Sequence, residues 1–167
     1  ESSFNAALNA DPYFAPALQG LSKLYLYKGD FTKAYENAKQ ALILDEEGFR
    51  PWMDQLEETK QHFENAMRSI KSREYEEAIK ECNIILTKHP YSSEAEYYLG
   101  YIGLATKDID MAAKHFNSAL SFYPNYDKAK RGLYNITKSI YNQGNSMYKR
   151  GDLVKAREFF LKALEYD

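Results

Sequence analysis

The chain has 167 residues, with 22 Lys and Arg against 24 Asp and Glu, a formal charge of −2, one cysteine and 15 tyrosines. A chain of this length can bury a sizeable core without disulfides or metals, and its slight acidic surplus excludes the basic face that displaces counterions from nucleic acid. Cys82 stands alone, no apolar run approaches the ~20 residues of a membrane span, and the opening ESSFNAALNADP lacks the basic flank and apolar run of a signal peptide. The expectation is a soluble, intracellular, cytoplasmic chain with no nucleic-acid partner and no membrane insertion.

In chain order, residues 4–12 read as the last turns of an amphipathic helix stopped by Pro12. The helical stretch LQGLSKLYLYK from Leu18 then leads into GDFTKAYENAKQALILDE from Gly29. That second segment sets a template that recurs as REYEEAIKECNIILTKHP from Arg73, KDIDMAAKHFNSALSFYP from Lys107 and GDLVKAREFFLKALEYD from Gly151. Corresponding alanines fall at Ala34, Ala78, Ala112 and Ala156, 34 residues apart in the middle and 44 apart on either side. Each template opens on an apolar residue (Phe31, Tyr75, Ile109, Leu153) after a turn, of which Gly29-Asp30, Lys107-Asp108 and Gly151-Asp152 are the clearest and Arg73-Glu74 the weakest. Small residues at fixed positions let two antiparallel helices approach closely, and Pro90 and Pro124 close two of the units.

The longer spacings leave ten extra residues each, near 49–58 and 127–136. A loop there would be polar and Gly-rich. Instead Trp52, Leu56, Thr59, Phe63, Ala66 and Ile70 continue one helical face, as do Ala129, Leu133, Ile136, Ile140 and Met147. Each insertion is therefore predicted to extend the following helix at its N-terminus by about 15 Å, with Pro51 in a first turn where its missing N–H costs nothing. The added turns either pack on the preceding hairpin or project and offer Trp52 and Tyr134 as a partner or self-association patch.

The template resembles the tetratricopeptide repeat, a helix–turn–helix unit of 34 residues, with about eight matching positions recurring four times. The resemblance implies an all-α, right-handed superhelical solenoid of antiparallel helix pairs. On it the chain divides into the end of a preceding repeat (1–14), a repeat over 15–48, one with an extended first helix over 49–92, a third over 93–126, and a fourth with an extended first helix over 127–167. Both termini cut the pattern, so the expectation is the interior of a longer protein.

In this family the first helices line a concave groove that grips peptides. Carried onto the matching positions, the resemblance implies a groove lined by Lys23 and Tyr27, then Phe63 and Met67, then Tyr97 and Tyr101, then Tyr141, Asn145, Tyr148 and Lys149. An aromatic stripe edged by lysines suits a peptide with apolar side chains and some acid. The stretch YNQGNSMYKRGD is similar to the opening of the chaperone-binding repeats that clamp a C-terminal Glu-Glu-Val-Asp. It keeps Gly144, Asn145, Tyr148, Lys149 and Gly151, but Tyr141 stands where the clamp has lysine. Repeat blocks joined by long helices also look like the J-domain co-chaperones, which implies an Hsp70- or Hsp90-type chaperone as one candidate partner.

Nothing in the sequence points to catalysis, a metal or a cofactor. His62, His89 and His115 are isolated from one another, Cys82 occupies a packing position of the repeat, and no phosphate-binding or nucleophile-elbow motif occurs. The leading expectation is a protein-interaction scaffold or adaptor that binds peptides in the Tyr-lined groove. Two alternatives are a structural subunit of a large ciliary, cell-division or transport assembly, using the convex face and long-helix tips, and a repeat segment of a larger enzyme.

Overall fold

A computed structural model of the chain describes residues 1–166. Among them are nine α-helices and no strand: α1 (Ser2–Ala10), α2 (Ala15–Tyr27), α3 (Phe31–Leu44), α4 (Glu46–Ser72), α5 (Tyr75–Lys88), α6 (Ser93–Thr106), α7 (Ile109–Phe122), α8 (Asp127–Lys149) and α9 (Leu153–Leu164). The all-α architecture of helix pairs and the two long first helices are thus as the sequence predicts. The chain divides into two compact units, Glu1–Ala95 and a second beginning at Glu96.

Four turns are built alike, and their chemistry explains the template. Gly29, Arg73, Lys107 and Gly151 all have positive φ, between 63° and 81°. In three of them the next residue is an aspartate that caps the following helix: Asp30, Asp108 and Asp152 accept from the backbone N–H groups of Lys33, Met111 and Lys155 at 3.1, 2.9 and 3.1 Å. Glu74 makes no such bond, in keeping with its turn being the weakest match. Left-handed backbone suits glycine and strains a side chain. Lys107→Gly is accordingly expected to stabilise the protein by about 0.5–1 kcal/mol, raising the melting temperature by about 1–4 °C. An unchanged or lowered midpoint in thermal unfolding would contradict the left-handed turn.

In the first unit, Phe4 of α1 lies on Gly20 of α2, so close that an added Cβ would meet the ring at 2.4 Å. Ala34, Ala38 and Ala41 let α3 close on α2 and are essentially fully buried. The first turns of α4 then cover this hairpin through Met53 and Leu56, which join Leu26, Ala34 and Ala38 in one cluster with Trp52 against it. The extra turns are therefore packed. The helix starts earlier than Pro51 suggests: Asp45 caps it by accepting from Gly48 N–H at 3.0 Å, with Glu46 and Glu47 in its first turn. Pro51 accordingly lies inside α4, where it removes an N–H from the hydrogen-bond ladder. α5 folds back on α4, with Ala78, Cys82 and Ile85 buried, and His62 meets Glu81 across the pair at 2.6 Å.

In the second unit α6 and α7 meet at Gly103, and Phe116 of α7 is enclosed by Tyr97, Gly100 and Gly132. His115 of α7 pairs with Glu96 of α6 at 2.7 Å. The first turns of α8 cover α7 through Tyr126, Ala129 and Ile136, all buried in one cluster with Ala112, Phe116 and Ala119. α9 then packs back on α8, with Ala156 and Ala163 buried.

Candidate functional site

A cavity of about 250 Å³ opens in the first unit, lined by Lys23, Leu26 and Tyr27 of α2, Trp52 of α4, and Lys88 to Ser92 from the end of α5 and the turn beyond it. Its polar groups are engaged within the protein. The Trp52 indole N–H donates to Ser22 Oγ at 2.9 Å. Thr59 donates its hydroxyl proton to the Gln55 carbonyl at 2.7 Å, so its contact with His89 Nε2 at 2.9 Å makes the imidazole the donor. Burial, reinforced by the neighbouring Lys88 charge, pushes the His89 pKa below its usual value, and the ring is neutral near pH 7. Lys88 pairs with Glu58, and this hydrogen bond and charge hold the Glu58 carboxyl below its ordinary range.

What faces the opening is consequently apolar. Trp52 meets His89 edge-on at 5.9 Å, and Tyr27 lies 6.3 Å from Tyr91 across the mouth. Lys23 is exposed and places its ammonium 5.3 Å from the Trp52 ring centroid, a cation–π contact that leaves the charge at the rim.

Lys23, Tyr27 and Trp52 are thus brought together, although the sequence assigns the first two to a groove and the third to a projecting patch. Trp52 is half-buried in a wall of the cavity because the turns that carry it lie on α2 and α3. Met67 is exposed on α4, but Phe63 is 7% exposed and meets Phe31 edge-on at 5.7 Å. Its ring packs against α3. In the second unit Tyr97 is half-buried among Tyr98, Phe116 and Tyr126, while Tyr101 is exposed. Tyr134 and Tyr141 share a second, wider hollow of about 550 Å³ with Phe160 and Leu164. Tyr148 and Lys149 are exposed at the end of α8 and Asn145 is half-buried; none of the three lines that hollow.

The repeat pattern by itself does not mark Lys88, His89, Pro90 and Tyr91 as site residues. A signal was present, because Thr59 and His89 stand nearly equally far on either side of the Arg73–Glu74 turn. A helical hairpin folded there must set them opposite each other.

Among the described residues no helix is long and apolar enough to cross a membrane. Residues 63–127 match the family of the tetratricopeptide repeat. No curated protein matches the chain. Among solved structures, the crystal structure of MamA is similar at 20% identity, covering 98% of this chain and 84% of that one with a TM-score of 0.39, a loose superposition. Residues 63–127 thus match the tetratricopeptide repeat, and the hairpins on both sides of them are closed by the same left-handed turn.

Proposed function

We propose that the chain, a protein-interaction scaffold as its repeats make it, binds a partner peptide by seating one large apolar side chain between Trp52 and Tyr27, with an acidic neighbour held at Lys23. The observation that supports this is the engagement of every polar group just described: indole N–H, threonine hydroxyl and Lys88 all have partners inside the protein. An entering guest displaces no hydrogen bond and gains about 1.5–3 kcal/mol from burying a Leu- or Phe-sized side chain. Lys23 supplies a cation at the rim, its ammonium lying over the Trp52 ring.

Trp52 is the chain's sole tryptophan, so its emission reports the pocket directly. Peptides carrying Phe or Leu beside Asp or Glu are expected to shift that emission saturably, whereas the same peptides with Ala at the anchor are not. Tyr27→Ala is expected to weaken binding by more than 1 kcal/mol, and Lys23→Gln to weaken it while removing its salt dependence. Emission indifferent to the whole panel would defeat the proposal.

The chaperone-tail reading has less support. Tyr141 lies against Phe160, ring centroids 5.4 Å apart and tilted, where the clamp would need a lysine, leaving Lys149 and Arg150 as the cations of that stretch. Repeats of this family are typically interaction modules rather than catalysts, so the enzyme reading rests on residues other than these.

A further inference from the structure

We propose that the cavity between α2, α4 and the end of α5 releases its guest on taking up a proton, and that the proton goes to His89 Nδ1. This control acts on the seat for an apolar side chain between Trp52 and Tyr27 and rests on that reading. The imidazole is held in one tautomer. Thr59 donates to the Gln55 carbonyl and so accepts from His89 Nε2, which leaves Nδ1 of the neutral ring without a proton. Among the described residues Nδ1 has no hydrogen-bond partner, yet no buried side-chain nitrogen or oxygen lacks one, so Nδ1 is open to water. His89 is half-buried in the cavity wall and meets Trp52 edge-on. In the free protein water thus reaches the one ring nitrogen that can take a proton, and a guest seated against Trp52 takes that water away.

The charges around the ring fix the sign. From α2 it faces the Lys23 ammonium and the Tyr27 phenol, and from α5 and the turn after it the Lys88 ammonium and the Tyr91 phenol. From α4 comes the Glu58 carboxylate, already engaged by Lys88 and approached by His62 Nε2 at 3.8 Å. Burial and the Lys88 charge hold the His89 pKa below its ordinary 6.5 before any guest arrives. An apolar guest strips the remaining water and lowers it further. Guest and proton are therefore antagonists, each weakening the other by the same factor. An acidic neighbour on the guest would be attracted to an imidazolium, but it sits at the solvated rim, where ion pairs are weak. The imidazolium itself would lie under the guest without solvent, and that cost is the larger. Affinity is accordingly full above about pH 6.5 and is lost as the pH falls below it.

The test uses fluorescently labelled, end-blocked peptides with a Phe anchor beside Gln, which do not themselves titrate, and follows their anisotropy on the intact protein from about pH 8 to about pH 5. Affinity is expected to hold down to about pH 6.5 and to fall at least about threefold by pH 5. His89→Gln keeps a donor for Thr59 but takes no proton, and should flatten the profile; His62→Gln should leave it unchanged. NMR of the parent protein gives a second measurement, in which the His89 ring titrates at a lower pH with peptide bound than without. A flat profile in the parent, the parent's profile in His89→Gln, or a His89 titration that peptide does not move would overturn the proton control and leave the seat standing. Peptides that bind at no pH would defeat the seat, and the control with it.

Discussion

Gly103→Ala is expected to destabilise the protein by about 2–3 kcal/mol, the reverse of what the same change does on an open helix. Alanine is the best helix former and glycine costs about 1 kcal/mol against it, so an unhindered Gly103 inside α6 would gain from the substitution. The surroundings decide the sign. An added Cβ would meet Ala112 N at 2.6 Å, Ala112 Cα at 2.9 Å and the Asp108 carbonyl oxygen at 3.0 Å. These are backbone atoms at the start of α7, where Ala112 N–H already donates to the Asp108 carbonyl at 3.0 Å and Asp108 N–H to the Gly103 carbonyl at 2.8 Å. No side chain can rotate away, so α7 must shift and its cap with it. Gly100→Ala is the control, because the atoms nearest its Cβ would be side-chain atoms of the Phe116 ring, at 2.6 Å, rather than backbone, and it should cost less. Urea unfolding of the two variants gives the comparison. A neutral or stabilising Gly103→Ala would mean that α6 and α7 do not approach as described.

Much of this architecture is legible in the sequence, for a physical reason: close approach of helices restricts residue type at fixed positions. Ala34, Ala78, Ala112 and Ala156, read as the closing points of four hairpins, are at most 2% exposed. The continuous apolar faces through Leu56 and Ile136 identify two long helices because periodicity is local information. Helix starts are less legible. Pro51 suits a first turn, but Asp45 followed by two glutamates is the stronger signal, since an aspartate cap satisfies an orphan N–H and a proline merely tolerates its absence.

The candidate site is the least legible part. Spacing places Phe63 and Tyr97 near an inner face, yet a helix in a stack has neighbours on more than one side, and these two rings turn toward the packed ones. Which aromatics remain open depends on what the next helix covers. Trp52 shows the converse: its repeat position suggests a projection, and contacts from α2 and the end of α5, distant in sequence, draw it into a cavity wall.

Phe116 and Phe160 occupy the same template position, and their alanine variants are expected to differ widely. Phe116→Ala should cost about 3–5 kcal/mol, the usual range for emptying a closed core site of an aromatic ring. The ring is 1% exposed and touches helices on two sides: α6 through Tyr97 and Gly100, α8 through Gly132. Those glycines leave no side chains that could collapse into the space. Phe160 is half-buried and contacts Gly144 and Tyr141 of a single helix, with its other side toward the open hollow. Water can enter where its ring was, so no sealed cavity forms, and Phe160→Ala should cost about 1–2 kcal/mol. Urea unfolding measures both, and the gap between them separates a ring sealed by helices on two sides from one that a single helix half covers. Equal costs would mean that the two faces are equally closed.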